Sequence, residues 1–317
     1  MSEGRSLRLG TRPSRLARWQ AEWVRRELLS RGQPAELVEI STTGDEVPEM
    51  PLSRLEGSDL FTRQIDQALL EGRVDLAVHS LKDLPTTLPD GIRIAAVCPR
   101  EDPRDALIGR GPLEWNELPE GGVVATCSLR RRAQVLRSRP DLTVTDIRGN
   151  IETRLAKLDA NPEWSATILA VAGLARLGLT GRIGEWLEPE LMLPAPGQGA
   201  LAVTVRADDW PTARLAHESV HHAETACCVT AERALLHHLD SGCHAPVAAL
   251  AAVRGPHQLE LAGRVLSLDG RECIEASLIA PAQSESEAAG LGIALADRLL
   301  SMGAEQLLGS LRAREVP

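Results

Sequence analysis

The stretch Val74-Asp75-Leu76-Ala77-Val78-His79-Ser80-Leu81-Lys82-Asp83-Leu84-Pro85 decides the expected fold. Large apolar residues alternate with smaller ones along its first half, which predicts a strand in a sheet that is covered on both faces. The apolar pattern stops at His79, and Pro85 ends any regular element. Ligands of open α/β sheets bind at the carboxyl ends of strands. The stretch therefore predicts an α/β fold with Lys82 and Asp83 at a ligand-binding edge, and the alternative is a solvated turn.

The composition is that of a globular protein with an aliphatic core. The chain has 317 residues, of which 43% are hydrophobic and 25% are charged. This length is enough for two or three domains. Six Trp, one Phe and no Tyr leave few aromatic faces for base stacking, and the net charge is −9. A nucleic-acid partner is therefore not expected.

One segment of this acidic protein is strongly basic. Between Ser128 and Lys157 there are three acidic and eight basic residues. The basic ones are Arg130, Arg131, Arg132, Arg137, Arg139, Arg148, Arg154 and Lys157. Ser128 is a good N-cap, so Arg130 and Arg131 fall in the first turn of the predicted helix. The helix dipole disfavours cations in that turn, which indicates that something anionic binds there. The alternative is a set of exposed arginines on a helix surface.

The amino-terminal segment follows a similar pattern. A strand ending at Gly10 is followed by a polar loop with Arg12 and Ser14, and then by a helix that Gly32 ends. Such a junction offers unpaired backbone N–H groups to an anion. The alternative for Arg12 is a solvated loop charge.

The remaining elements predict two α/β halves and a third part. Further strands are expected at 36–40, 92–97, 123–126, 143–147 and 166–171, and helices at 59–70, 129–139 and 152–158. A strand at Leu201–Val205 could rejoin the first half, so two crossovers would leave a cleft between the halves. After a helix at 222–239, three hairpin-linked strands (247–254, 259–267 and 272–279) and helices at 284–301 and 303–312 predict a small α+β domain.

The six cysteines form no Cys-x-x-Cys motif, so neither a zinc ribbon nor a redox pair is indicated. Their scatter suits free thiols in a reducing cytosol. Cys227 and Cys228 lie in a predicted helix, and no metal site is expected. Cys243 lies in a predicted loop and is the best candidate for chemistry, the alternative being an inert thiol. No signal peptide or membrane span is apparent, which indicates a soluble cytoplasmic protein.

Nine motifs in order resemble those of one family, the hydroxymethylbilane synthases or porphobilinogen deaminases. The resemblance covers the chain from about Leu7 to the final helix. The motifs are Leu9-Gly10-Thr11-Arg12-Pro13-Ser14 with Trp19-Gln20-Ala21, Ala77–Pro85, Arg100–Ala106, Ser128–Arg131, Arg148–Arg154, Leu169–Leu174, Pro196–Ala200, Ala231–Arg233, and Gly242-Cys243 with Pro246.

The resemblance implies a three-domain fold. Two domains resemble type II periplasmic binding proteins with a cleft between them, and a small C-terminal α+β domain follows. The expected bounds are 1–99 with 199–217, 104–194, and 220–317. The resemblance also implies a dipyrromethane cofactor joined to Cys243 by a thioether, and stepwise condensation of four porphobilinogens with loss of four ammonia molecules before hydroxymethylbilane is released.

Roles for individual residues follow from the same resemblance. Asp83 matches the catalytic aspartate, and a carboxylate there would stabilise the cationic azafulvene left when ammonia departs. Each porphobilinogen carries two carboxylates, which arginine binds in bidentate fashion. The expected substrate- and cofactor-binding residues are Arg12, Ser14, Lys82, Thr126, Ser128, Arg130, Arg131, Arg148, Gly149, Arg154 and Gln198. His79 and Ser80 are expected to shape the turn. The family implies a monomer.

The chain departs from the family pattern mainly in one loop. A usual Gly-Gly-Lys-Gly-Leu-Phe reads Glu56-Gly57-Ser58-Asp59-Leu60-Phe61, a usual Arg is Thr43, and the Gly before Gly242 is Ser241. We expect these changes to affect the contacts of this loop and the turnover rate more than the chemistry.

Two other classes of function remain open at this point. The same two-lobed fold could hold a small anion as a binding module, but such a module needs neither Asp83 nor Cys243. A nucleic-acid binder could use Arg130, Arg131 and Arg132, but the net charge and the scarce aromatic residues count against it.

Overall fold

The computed structural model describes residues 5–46, 61–240 and 245–315. Within these ranges the chain forms two five-stranded sheets and one three-stranded sheet. The chain divides into two compact units, Met1–Glu101 with Gly199–Ala226 and Asp102–Gln198 with Cys227–Pro317.

The described strands are, in chain order, β1 (Leu7–Thr11), β2 (Ala35–Glu39), β3 (Leu76–Ser80), β4 (Ile92–Val97), β5 (Asp105–Ile108), β6 (Val123–Ala125), β7 (Thr143–Thr145), β8 (Trp164–Ala170), β9 (Glu185–Leu187), β10 (Leu201–Arg206), β11 (Val247–Gly255), β12 (Gln258–Leu266) and β13 (Cys273–Pro281). The helices are α1 (Arg15–Ser30), α2 (Thr43–Glu46), α3 (Arg63–Leu70), α4 (Leu129–Ser138), α5 (Ile151–Ala160), α6 (Val171–Arg176), α7 (Trp210–Val220), α8 (Ala223–His238), α9 (Glu285–Ser301) and α10 (Ala304–Glu315).

The first sheet has the order β2-β1-β3-β10-β4 and is covered on both faces. Leu76 and Val78 of β3 join the core formed with α1 and α7, whereas Ala77 joins the core formed with α3. The alternation in the sequence therefore matches the two faces of this strand. β10 runs antiparallel to β3 and β4, so the expected return of Leu201–Val205 to this sheet is confirmed.

The second sheet repeats this arrangement with the order β7-β6-β8-β5-β9. β6 pairs in parallel with β7 and β8, and the fourth strand, β5, runs antiparallel to both of its neighbours. In each sheet the antiparallel fourth strand comes directly after the chain has passed from one unit to the other. β5 follows the passage after Glu101, and β10 follows the passage after Gln198. The predicted pair of α/β domains joined by two crossovers is therefore confirmed.

The third sheet is an antiparallel meander of β11, β12 and β13 packed against α8, α9 and α10. Glu232 of α8 is fully buried, and its two carboxylate oxygens accept hydrogen bonds from the backbone N–H groups of Gly197 (2.7 Å) and Ala251 (2.8 Å). The predicted small α+β domain is confirmed, while its limits and those of the other two domains stay a prediction.

Several elements differ from the expectation. The predicted helix at 59–70 begins at Arg63 within the described residues, and the sequence analysis did not predict α2, β5, α6, β9 or α7. Among the described residues no helix has both the length and the apolar character needed to cross a membrane.

Candidate functional site

The polar end of β3 presents Asp83 on a short 3₁₀ turn. This turn, Leu81–Asp83, follows the strand directly, and Leu81 is fully buried beneath it. The backbone N–H of Leu81 donates to the carbonyl of Ala200 on the neighbouring β10 side (3.0 Å). Asp83 is half-buried, and its carboxylate has no hydrogen bond or ion pair with any residue that the structure describes. An acceptor held this way is available to an N–H group of a ligand.

Arg12 lies in the loop between β1 and α1 and is held by an internal carboxylate. Its Nη2 and Nε contact the two oxygens of Asp45 at 2.6 and 3.2 Å, and its guanidinium lies over the Phe61 ring at 4.3 Å. Thr42 donates its backbone N–H and its hydroxyl to Asp45. Burial raises the pKa of Asp45, but the bonds from Arg12 and Thr42 outweigh it and leave that pKa below its usual range. Asp45 therefore pairs with Arg12 through Nε and Nη2, and Nη1 takes part in neither bond.

Ser14 of the same loop is the N-cap of α1. Its hydroxyl accepts a hydrogen bond from the backbone N–H of Ala17 (3.3 Å). This cap begins the helix immediately after the strand, because the capped turn satisfies one of the free N–H groups at the helix start. A role for Ser14 in ligand binding stays a prediction.

A small open recess lies beside Asp83. Its lining includes Arg12, Gln20, Phe61, His79, Ser80 and Asp83. Gln20 donates its side-chain amide to the hydroxyl of Ser80 (2.8 Å), and His79 Nε2 pairs with the hydroxyl of Thr204 (3.0 Å). Burial, aided by the charge of Arg12, lowers the pKa of His79 to about 4. These contacts support the interpretation that His79 and Ser80 shape this strand end.

The second unit carries the arginine-rich strand ends. Ser128 caps α4 by accepting a hydrogen bond from the backbone N–H of Arg131 (3.4 Å), and the hydroxyl of Thr126 accepts one from the N–H of Ser128 (3.2 Å). β6 and β7 are parallel neighbours with Ala125 opposite Thr145. The loops that follow them therefore leave the same edge of the sheet.

Arg130 and Arg131 are not exposed on the helix surface. Each is only 5% exposed, and their Nη2 atoms contact the two oxygens of the fully buried Asp105 at 2.8 Å. Burial lowers the pKa of Arg130, and Arg131 lowers it further, while Asp105 raises it. The interpretation of exposed arginines is wrong for this pair, because Asp105 supplies the anion that offsets two cations at a helix N-terminus.

Gln198 completes this buried cluster. Its side-chain amide is fully buried and donates to Asp105 Oδ1 (2.9 Å) and to the carbonyl of Pro103 (2.7 Å). Asp105 had not been assigned a role from the sequence. It begins a four-residue strand inside a charged run, so only its spatial partners reveal it.

The loop after β7 brings together three other predicted binding residues. Arg154 Nε donates to the carbonyl of Gly149 (2.8 Å), and Arg148 lies half-buried one residue before that glycine. Gly149 has a φ of +113°, and a Cβ there would lie 2.6 Å from the side chain of Thr153. Only glycine fits this position without strain.

Other expectations fall partly outside the described ranges. Cys243 and residues 56–60 lie outside them, while Thr43 accepts a hydrogen bond from Gln64 (2.6 Å). Burial, with help from two nearby glutamates, raises the pKa of Cys227, so that thiol is a poor nucleophile. In the described part of the chain no group of three or more His, Cys, Asp or Glu side chains could hold a metal ion.

Comparison with known proteins gives consistent results across the chain. Residues 7–214 match the family profile "Porphobilinogen deaminase, dipyromethane cofactor binding domain", and residues 226–301 match "Porphobilinogen deaminase, C-terminal domain". The porphobilinogen deaminase of Geobacter metallireducens is 46% identical over 314 residues, covering 98% of this chain and 96% of that protein.

The porphobilinogen deaminase of Geotalea uraniireducens is 44% identical over the same length, with the same coverage of both chains. Among solved structures, the methionine-binding protein MetQ is 11% identical with a TM-score of 0.45, covering 68% of this chain and 89% of that one. By its family profiles and its near full-length relatives, the chain belongs to the porphobilinogen deaminase family.

Proposed function

We propose that the chain is a hydroxymethylbilane synthase, the transferase also called porphobilinogen deaminase. It joins four porphobilinogens head to tail, releases four ammonia molecules, and then releases hydroxymethylbilane by hydrolysis for tetrapyrrole biosynthesis. The observation that carries this proposal is the Asp83 carboxylate, which has no partner among the described residues and stands at the end of a covered strand beside Arg12. The family supplies the reaction, and Asp83 supplies the group that the reaction needs.

Asp83 is the catalytic residue in this proposal. Loss of ammonia from porphobilinogen leaves a cation whose charge is shared by the pyrrole nitrogen. A carboxylate within hydrogen-bonding distance of that nitrogen stabilises the cation and can take up or return a proton. The turn at Leu81–Asp83 is anchored by the buried Leu81, so the carboxylate is preorganised before the substrate arrives.

The arginines recognise the substrate's carboxylates. Arg12 and Lys82 do so in the first unit, and Arg130, Arg131, Arg148 and Arg154 do so in the second. The proposed substrate- and cofactor-binding set is completed by Ser14, Thr126, Ser128, Gly149 and Gln198. Arg130 and Arg131 share one Asp105, so the pair keeps one excess positive charge near the start of α4. This charge attracts carboxylates more strongly in a buried setting than in water.

The residues present fit a dipyrromethane with carboxylate side chains. Nε of Arg131 is buried and has no hydrogen-bond partner among the described residues, which leaves one donor of that cation to satisfy. Arg131 and Arg154 would hold carboxylates, and Asp83 would accept from pyrrole N–H groups. When bound through the predicted thioether to Cys243, the dipyrromethane supplies the pyrrole carbon to which the first substrate is joined. A thiolate suits this attachment because it is a soft nucleophile.

The proposal extends to the setting of the enzyme. A net charge of −9 and few aromatic residues support a small-molecule substrate and no nucleic-acid partner. We propose a cytoplasmic monomer without a membrane partner, built from domains at 1–99 with 199–217, at 104–194 and at 220–317.

Intact mass and turnover of the purified protein test the proposal. The mass should exceed that of the sequence by one dipyrromethane, and an aldehyde reagent for pyrroles should colour the protein. Added porphobilinogen should release one ammonia for each molecule consumed. A mass equal to the bare sequence, with no colour and no ammonia release, would rule the proposal out.

A further inference from the structure

The side chain of Gln134 in α4 holds the backbone of one residue of the second unit, Leu193. Gln134 is 1% exposed, its Nε2 donates to the carbonyl of Leu193 (3.0 Å), and its Oε1 accepts from the N–H of Leu193 (2.9 Å). An amide that both donates to and accepts from a single residue fixes the position of that residue's backbone.

The same carbonyl of Leu193 holds Arg130. Nη1 of Arg130 donates to it at 2.7 Å, while Nη2 contacts Asp105 at 2.8 Å. Gln134 lies one helical turn after Arg130, so both side chains of α4 meet at Leu193. The direction of the Arg130 guanidinium therefore depends on where Gln134 places this carbonyl.

Arg264 of β12 fixes which way the Gln134 amide points. Its Nη1 donates to Gln134 Oε1 at 2.6 Å, and its other nitrogens contact Glu275 (2.8 Å) and the carbonyl of Glu190 (3.0 Å). Arginine has only donors, so the oxygen of Gln134 must face it and the amide nitrogen must face Leu193.

The third sheet also contacts the backbone of α4. Gly270, in the turn between β12 and β13, has a φ of +70°, and a Cβ there would lie 2.4 Å from the carbonyl oxygen of Ala133. Close packing of this turn keeps Arg264 within reach of Gln134. The third sheet therefore supports α4, the helix that carries Arg130.

We propose that Gln134 and Arg264 are positioning residues that hold Arg130 in the direction needed to bind a carboxylate of the substrate or cofactor. This inference rests on the proposed function, because it assigns Arg130 a ligand. Recognition of a carboxylate by a guanidinium needs a defined angle, and a shift of about 1 Å weakens it strongly.

The first test replaces Gln134 with methionine, which keeps the volume and removes the amide. KM for porphobilinogen should rise about fivefold to tenfold, while kcat should stay within about twofold, because the lost interaction acts equally on bound substrate and transition state. A folded variant that loses the dipyrromethane, measured by intact mass and pyrrole colour, also supports the proposal, since the cofactor's carboxylates use the same arginine.

The second test is a double-mutant cycle with Arg264→Met. Both residues act through one amide, so the double variant should raise KM no further than Gln134→Met alone. Arg254→Met is the matched control, because Arg254 is an exposed arginine of the same sheet, paired with Glu260 on the surface. It should leave KM unchanged.

The outcomes separate the two proposals. Gln134→Met protein that retains the cofactor and shows an unchanged KM would overturn the positioning role, whether its Tm is normal or lowered. If that variant does not fold, Gln134→Glu keeps the acceptors but loses the donor to Leu193, and the same criterion applies to it. Wild-type protein that carries no dipyrromethane and consumes no porphobilinogen would instead refute the proposed function.

Discussion

The charged side chains described at the candidate site differ in whether they have an internal partner of opposite charge. Arg12, Arg130 and Arg131 are cations with an internal carboxylate partner, Asp45 or Asp105. Asp83 is an anion without a partner among the described residues. A cationic intermediate is stabilised by an anion beside it, so this distribution supports the proposal that Asp83 supplies the stabilising charge.

Replacing Asp83 with asparagine tests that role. Asparagine keeps the size of the side chain but cannot neutralise a cation, so kcat should fall about 10²-fold or more while the dipyrromethane is retained. Kinetics and intact mass measure the two effects, and Asp90→Asn, an exposed aspartate of the following loop, is the control. Near-normal turnover of cofactor-loaded Asp83→Asn would remove Asp83 from the mechanism.

His79 makes the stability of the fold depend on pH. Its pKa is lowered to about 4 by burial and by Arg12, whereas the unfolded chain titrates near the ordinary value of about 6.5. The unfolded state binds more protons between these values, so stability is complete above the unfolded pKa and declines as pH falls toward the folded one. The free energy of unfolding should drop by about 2 kcal/mol between about pH 7 and pH 5 through this residue.

Urea unfolding of wild type and of His79→Gln at the two pH values measures that contribution. Glutamine does not titrate and can still pair with Thr204, so the pH-dependent difference between the two proteins isolates His79. An equal loss of stability in both proteins would contradict the expectation.

At the scale of elements, the second sheet depends on a contact between β5 and α4. Asp105 begins β5 and is fully buried against Arg130 and Arg131 of α4. Removing one member of a buried ion cluster leaves uncompensated charge in the interior. The strand and the helix therefore owe their docking to charge as well as to apolar packing.

Asp105→Asn should lower the free energy of unfolding by about 3–5 kcal/mol, because two guanidinium groups then lack their carboxylate. Urea denaturation measures the loss. Asp141→Asn breaks a surface pair with Arg139 and should give a change too small to resolve. A similarly small effect of Asp105→Asn would show that the cluster is not a structural support.

Elements with a clear apolar period could be predicted from the sequence, and contacts between distant residues could not. The strand at Leu76–Ser80 and the helices at Arg15–Ser30 and Glu285–Ser301 have such a period. β5 was missed because Asp105 looks like part of a charged loop until its arginine partners, 25 and 26 residues later, are brought to it. α7 was missed although Asp209 caps it and Pro211 lies in its first turn, both of which are helix-start features.

The same limit applies to the site. The sequence and its resemblance predicted Asp83 and the arginines at strand ends, because polar residues interrupt apolar patterns there. The sequence could not predict that Asp45 and Asp105 form ion pairs with these arginines, because the partners come from separate elements. Burial of Gln134 against Arg264 is equally invisible, because 130 residues separate them.

At the scale of the whole molecule, the proposed attachment of the dipyrromethane to Cys243 can be tested directly. Cys243→Ser should yield folded protein whose mass equals that of the bare sequence, because an alcohol is a much weaker nucleophile than a thiolate. Mass spectrometry and the pyrrole reagent measure loading. Cys227→Ser is the control and should load normally, since burial raises the pKa of that thiol. Normal loading of Cys243→Ser would move the attachment to another residue.

The order in which a ribosome delivers the strands differs between the two five-stranded sheets. The second sheet is complete once β9 ends at Leu187, whereas the first lacks its fourth strand, β10, until Arg206 has been synthesised. Until then β3 and β4 have no strand between them, and their edges are open to wrong partners. The amino-terminal sheet, although translated first, is therefore finished second, and nascent chains released before Arg206 should aggregate or be degraded rather than accumulate as a folded half.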